Sequence, residues 1–449
     1  MSGVEARPRS RLPVHVLRHR DYRYLWAGQF VSTLGTQMHA VALSYQLYQL
    51  TGSVVQLGLL GLVRAIALMA TSLIGGAIAD AVDRRAVMLV TQTVLLALSL
   101  SIAVATYLDA INVPMLYIVA ALIAATSAFD GPARQALIPA LVPRHELASA
   151  MSLNILAMSI ARMAGPAVGG FIVALVGVAT TYVIDGASFL VTIGALLIMR
   201  TRVELPELRA TGISAIAEGL RFIRSAPVIW GVMVLDFLAT LLGSTIGLAP
   251  VFAEDVLNAG PQGLGLLLSA PAAGAVLGGL IVSLLPQVSR PGRVLVFSVV
   301  AYGVFLALFG LSTSLVLALL ALAGAGAADS VSVAMRHTVR NLATPDELRG
   351  RVAAAHSALA MGGPRLGEFQ SGMTAFLVGP RYAMVLGGLA VVAVSGLMSW
   401  VAPAMLRYRF DDQLDEDIDG RSADRTRGGV TAAAGPTSSA PAARRGLGR

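Results

Sequence analysis

The sequence predicts an all-α membrane protein, with twelve transmembrane helices in two pseudo-symmetric six-helix bundles. Three observations lead there. The first is charge placement: all 33 basic residues are arginine, and all but Arg64, Arg162, Arg365 and Arg381 cluster at 7–23, 84–85, 134–144, 200–224, 290–293, 336–351 and 407–449. Between successive clusters the chain goes out through one apolar stretch and returns through another, and the intervening turns carry only Arg381. Positive loops stay in the cytoplasm, so the alternation gives twelve crossings with both ends inside. The second is composition: 56% hydrophobic and 13% charged residues cannot cover a water-soluble surface. The third is that the second half repeats landmarks of the first in the same order.

An apolar helix of about 20 residues spans the hydrocarbon core. Residues 1–23 form a basic cytoplasmic segment, and the apolar stretch after it has no convincing cleavage site. Helix 1, at 24–49, is therefore read as retained and not as a signal peptide. Helices 2 to 6 follow at 54–78, 87–108, 114–138, 148–175 and 179–199, completing an N-terminal bundle at 24–199. The longest polar interruption is 200–227. There Ile213, Ile216, Leu220 and Ile223 recur at helical spacing opposite Glu218, Arg221 and Arg224. This pattern predicts an amphipathic helix on the cytoplasmic membrane surface. Helices 7 to 12, at 228–252, 262–286, 294–312, 315–340, 352–378 and 382–404, form a C-terminal bundle at 228–404. Long continuous apolar runs favour helices over barrel strands, which alternate over about ten residues. The tail, 405–449, has an acidic run from Asp411 to Asp419, then Ala, Gly, Pro, Ser and Arg that cannot build a core. It is expected to be cytoplasmic and disordered.

The internal repeat is specific. Arg134 and Pro143 are nine residues apart, as are Arg336 and Pro345, and each pair is followed by Glu-Leu (Glu146-Leu147, Glu347-Leu348). Gly165-Pro166 in helix 5 corresponds to Gly363-Pro364 in helix 11, three residues closer to its Glu-Leu pair. Gly75-Gly76 before Arg84-Arg85 parallels Gly278-Gly279 before Arg290 and Arg293. Parallel six-helix halves with a site between them are a transporter architecture.

Two motifs carry a family resemblance. The turn between helices 2 and 3 reads Gly-Ala-Ile-Ala-Asp-Ala-Val-Asp-Arg-Arg from Gly76 through Asp80 to Arg84 and Arg85. Helix 5 reads Arg-Met-Ala-Gly-Pro-Ala-Val-Gly-Gly from Arg162 to Gly170. A mid-helix proline frees a carbonyl and kinks the helix. The glycines at 165, 169 and 170 admit a neighbouring helix. The chain resembles the major facilitator superfamily, most closely its enterobactin-exporter-like branch, over residues 14–410. The superfamily pattern between helices 2 and 3 is Gly-x-x-x-Asp-(Arg/Lys)-x-Gly-(Arg/Lys)-(Arg/Lys), and this chain departs from it at Ala81 and Asp83. The helix-5 motif is similar to the Gly-Pro-x-x-Gly-Gly signature associated with exporters. The resemblance implies a gating set of Gly76, Asp80, Arg84, Arg85, Arg134, Arg336 and Arg349. In it, Asp80 latches the cytoplasmic side against Arg134 and the start of helix 11. The helix-5 motif, Arg162, Gly165, Pro166, Gly169 and Gly170, supplies the bend. The stretch 129–135 and its counterpart 344–351 are read as structural and gating elements.

Charges within hydrocarbon cost several kcal/mol unless they meet a partner or a cavity. Arg365 and Glu368, three apart on helix 11, can partly neutralise each other. Asp185 and Asp236 are candidate partners for Arg162, or proton carriers, with Glu368 the first choice for coupling. Arg64 is expected to snorkel to the outer headgroups. Gln37, Tyr45 and Gln46 are expected to form a polar strip on a substrate cavity. His39 reads as a hydrogen-bonded helix contact. Met151, Met158 and Met163 read as packing.

These residues predict a proton-coupled exporter, an antiporter of a small organic or amphipathic molecule such as a siderophore-like compound or a drug. An uptake or lysophospholipid-type permease of the same fold is the alternative, and a membrane-embedded enzyme a remoter one. Without lysine there is no Walker A phosphate loop and no Schiff base. Without cysteine there is no disulfide, thiolate metal site or cysteine nucleophile. No Gly-x-Ser-x-Gly elbow or His-Glu-x-x-His helix is present. No cofactor and no metal are implied. The net charge of +8 faces anionic lipid headgroups on one membrane face, not nucleic acid. A monomer in a bacterial plasma membrane, with substrate, protons and lipids as partners, is the expectation.

Overall fold

The computed structural model describes residues 13–201, 221–244, 246–284, 288–345 and 348–407, with backbone alone at 13, 73–81, 246, 349–351, 353–355, 357–361 and 407. Sequence chemistry sets the helix ends. α1 (Arg20–Thr51) stops at Gly52, whose φ of 57° is left-handed. α2 spans Val54–Ala81. α3 (Arg84–Tyr107) is capped by Asp83, which accepts a hydrogen bond from the Arg85 amide at 2.9 Å. The departure from the superfamily glycine at this position thus supplies an N-cap. Asn112 caps α4 (Val113–Leu141) in the same way through the Met115 amide.

One helical run, Leu147–Ile198, breaks at Gly177 (φ 85°, ψ 169°). It comprises two crossings, α5 at 147–176 and α6 at 178–198. Beyond the central segment, α7 (Pro227–Leu242) continues through short turns, Ile246–Leu248, Ala249–Val251 and Phe252–Val256. α8 (Gly260–Leu284), α9 (Pro291–Leu311) and α10 (Leu315–Ala343) follow, then α11 (Arg349–Val378) and α12 (Pro380–Val401). Proline opens α9 and α12, where its missing N–H is harmless. Gly379, between α11 and α12, has φ 86° and ψ 157° and turns the chain as Gly177 does between α5 and α6. The described residues thus form twelve crossings. The expected surface helix rests mainly on 202–220, outside the described residues; 221–225 are helical and Ile223 is buried against Ile229, Met233 and Val352. The 405–449 tail lies outside them beyond residue 407.

The exterior is apolar: Leu175, Leu284, Phe297 and Trp400 each expose more than 70% of their surface. In water such a surface would aggregate, whereas lipid covers it. α1 through α6 pack chiefly on one another, as do α7 through α12, and the two groups meet mainly along α2 with α11 and α5 with α8. Both seams close on glycine. A Cβ on Gly170 of α5 would lie 2.9 Å from Gly265 Cα of α8, and one on Gly372 of α11 would lie 2.8 Å from Gly58 Cα of α2. These crossings lie toward the arginine-poor end.

There the two groups share one hydrophobic core. It joins Val41, Leu43 and Leu47 of α1 with Leu248, Phe252, Leu264 and Phe309. Phe252 and Phe309 stack at 4.3 Å, and Tyr48 donates a hydrogen bond to Asp255. At the arginine-rich end the cores are separate. Tyr22, Leu25, Leu137 and Leu196 form one, and Val232, Leu235, Leu295 and Met335 form another. Among the described residues, the side-chain hydrogen bonds of Glu146 and Asp21 there stay within a group. Glu146 accepts from Arg18 and pairs with His19 at 2.9 Å, and Asp21 accepts from the amides of Arg200 and Thr201. Among the described residues, the two groups are thus joined at the arginine-poor end and have separate cores at the other.

Candidate functional site

Two adjoining cavities, of about 310 and 220 Å³, open from one another: the larger lies between the groups, and the smaller is lined only by residues 29–192 of the first group. Thr36, Gln37, His39, Ile123 and Ser127 line both, so they form one continuous passage along α1 and α4. The larger cavity is central. It adds Arg64 and Leu60 of α2, Pro166 of α5, Gly247, Leu268 of α8, and Arg365 and Glu368 of α11. The smaller reaches toward the arginine-rich end past Gln92, Asp130, Arg134, Met158, Arg162 and Asp185.

The helix-5 motif builds the wall. A Cβ on Gly165 would press on Gln37, and one on Gly169 would lie 2.8 Å from Met38 Cα. α5 therefore lies flush against α1 and holds Gln37 at the passage. In the other half a Cβ on Gly363 would lie 2.7 Å from Thr240 of α7, and one on Gly367 would lie 2.8 Å from Ser244, just after α7. The two Gly-Pro elements thus seat equivalent helices.

Electrostatics within the passage are asymmetric. Arg365 donates to Glu368 at 2.6 Å, and the Glu368 side chain is only 4% exposed. Its other oxygen lies against Gly61 of α2, where a Cβ would sit 2.9 Å away. His39 and Asp185 are joined at 2.9 Å, and Ser99 donates to the same carboxylate oxygen at 2.6 Å. Asp130 accepts from Gln92 at 2.9 Å and Thr91 at 3.1 Å. Neither Asp130 nor Asp185 forms an ion pair with Arg162, which lines the passage without an ion pair among the described residues.

Several expectations are corrected. Arg64 does not snorkel outward but lines the central cavity near Arg365 and Glu368. Gly58, Gly61 and Arg64 recur every third residue, and that face of α2 meets α11; this spacing is the signal that could have placed it. Gln46 turns away from the passage into its own half, donating to Thr106 at 3.1 Å and accepting from Tyr182 at 2.9 Å. Tyr45 packs against the core of the arginine-poor end and lines neither cavity. Asp236 does not face Arg162: it pairs with Arg336, which also reaches Asp329 at 3.5 Å. Asp185 pairs with His39 in place of Arg162. Arg84 and Arg85 bond the carbonyls of Ala136 (2.9 Å) and Leu197 (3.3 Å) within their own half. The side chains of Gly76, Asp80 and Arg349 lie outside the described residues.

Comparison with known proteins agrees with this geometry. A family described as transmembrane secretion effector matches residues 13–416. The enterobactin exporter EntS of Escherichia coli O81 (strain ED1a) is 24% identical over 391 residues, 87% of this chain and 94% of that protein. The exporter of the same name from Escherichia fergusonii gives the same identity and coverage, 24% over 87% and 94%. Among solved structures, a bacterial homologue of the human lysosomal transporter Spinster, inward-facing and unoccupied, has a TM-score of 0.69 at 16% identity, covering 87% of this chain and 99% of that one. The nucleoside transporter NupG has a TM-score of 0.66 at 14% identity, covering 87% and 100%. The chain is thus a multi-pass membrane transporter and not an enzyme, and it belongs to the transmembrane secretion effector family of the major facilitator superfamily.

Proposed function

We propose that this protein exports a small amphipathic organic molecule, siderophore-like or drug-like, from the cytoplasm in exchange for protons. The observation that carries the reading is the polar cavity between two helix groups, continued by a second cavity within the first group. Among the described residues, the groups share a core at the arginine-poor end and hold separate cores at the arginine-rich end. By the positive-inside rule the arginine-rich end is cytoplasmic, and the resting shape then opens inward. The bacterial plasma membrane, with both termini cytoplasmic, is the matching location, and a monomer suffices to form the passage. The bundles at 24–199 and 228–404 rock about the glycine seams, joined through 200–227. On closure of the cytoplasmic side Asp80 meets Arg134 and the start of α11 at Arg349, while Arg84, Arg85 and Arg336 hold their own halves rigid.

Glu368 is the first choice for the proton site: it is buried, paired to Arg365 and packed on α2 of the opposite half. A second reading places the proton on the His39–Asp185 pair, because the outer ring nitrogen of His39 is buried without a hydrogen-bond partner beside the passage. The purified protein in liposomes with an imposed proton gradient tests both. Gradient-driven dye efflux abolished by Glu368→Gln and retained in His39→Gln supports the first reading. The reverse pattern assigns the second, and no gradient dependence removes proton exchange altogether.

A further inference from the structure

Within the central cavity the charges do not cancel. Glu368 is already held by Arg365, and its second oxygen is packed against Gly61, one turn from Arg64. Arg64 has no ion pair among the described residues, yet it lines the same cavity. Arg64, Arg365 and Glu368 therefore leave one net positive charge near the middle of the membrane span. Leu57, Leu60 and Leu268 contribute an apolar wall beside them. An uncompensated guanidinium in such a place is costly, so a ligand that brings a negative charge gains more there than in water.

The two guanidiniums also belong to different halves, Arg64 to α2 and Arg365 to α11. We infer that the transported molecule is an organic anion, whose carboxylate, sulfonate or phenolate group is held between Arg64 and Arg365 while its apolar body lies on the leucine wall. A guanidinium presents a planar fork of donors to such a group. Bridging both halves makes binding sensitive to their relative position. The inference rests on transport through this cavity but specifies its cargo.

Three probes of one shape test it: naphthalene-2-carboxylate, naphthalene-2-carboxamide and 2-naphthyltrimethylammonium, each titrated against the thermal unfolding midpoint of the purified full chain. The carboxylate should raise the midpoint most. Its apparent Kd should weaken about tenfold or more in Arg64→Gln, the scale of one lost charge-assisted contact. Arg64→Lys should retain much of the affinity, and Arg381→Gln, which removes the same charge from an exposed site at the other end, should leave it unchanged. A ligand-free midpoint equal to wild type shows that Arg64→Gln folds, and Arg365→Gln combined with Glu368→Gln provides a further variant with no stranded carboxylate. Protection by the ammonium or the amide equal to that by the carboxylate overturns the inference, as does carboxylate protection that survives both variants. Full competition by phosphatidylglycerol would assign the arginines to a lipid headgroup and likewise overturn it. Gradient-driven efflux of a cationic dye, indifferent to Arg64→Gln, would leave the export reading intact and remove this one alone.

Discussion

A buried ion pair is weak evidence of stability when compared with apolar packing, yet breaking it from one side is costly. Arg336 and Asp236 show this directly, with side chains 11% and 9% exposed. Asp236→Asn strands the arginine, and we expect a loss toward the low end of about 3–5 kcal/mol, since Asp329 at 3.5 Å offers a substitute partner. Chemical or thermal unfolding in detergent reads it, and the double variant with Arg336→Gln should recover part of the loss. An unchanged midpoint in the single variant would show the pair to be dispensable. Neither partner was visible as a pair in the sequence, because 100 residues separate them. Arg365 and Glu368, three apart on one helix, were visible.

Helices join this protein through backbone geometry that few residues tolerate. Gly177 and Gly379 adopt positive φ with nothing within 4 Å of a would-be Cβ, so alanine there is penalised by backbone strain and not by crowding. Gly177→Ala and Gly379→Ala should each cost about 1–3 kcal/mol, read as a lowered unfolding midpoint; a neutral result would mean that the α5–α6 and α11–α12 turns can adjust. The seams behave differently. Gly170→Leu or Gly372→Leu would force α5 off α8, or α11 off α2, and open the arginine-poor end. Such variants should fold, but a cysteine placed near Tyr48 should become reactive from that side, as it is not in the wild-type background. Unaltered reactivity would rule out these crossings as the closing contacts.

For the whole molecule, orientation is the quantity to measure, and the absence of native cysteine makes it accessible. Single cysteines at Asp109, His145 and Ser225, all exposed in the structure, should respond in opposite ways to a membrane-impermeant maleimide. In intact cells Asp109→Cys should be labelled, whereas His145→Cys and Ser225→Cys should react only after permeabilisation. The opposite pattern would invert the topology and, with it, the direction of export. Ser127→Cys, inside the passage, should follow the His145 side in the resting state.

Sequence alone determined the twelve crossings and their alternation, because arginine placement and continuous apolar runs are local properties set by the cost of charge and backbone in lipid. The superfamily was legible only through the resemblance of the 76–85 and 162–170 motifs. Hydropathy is weakest at the site: α1, 32 residues long, carries Gln37 and His39 and is not among the described helices apolar enough to qualify as a span. Helices that line a watery passage are poor membrane spans for the same reason that they are functional. Tertiary structure decided which face each polar residue presents. Gln46 turned to Tyr182, Asp236 to Arg336 and Asp185 to His39, while Arg64 turned inward to the cavity. Those choices depend on partners distant in sequence and on glycine-mediated helix approach; only for Arg64 does a local pattern, its three-residue spacing from Gly58 and Gly61, point to the face it takes.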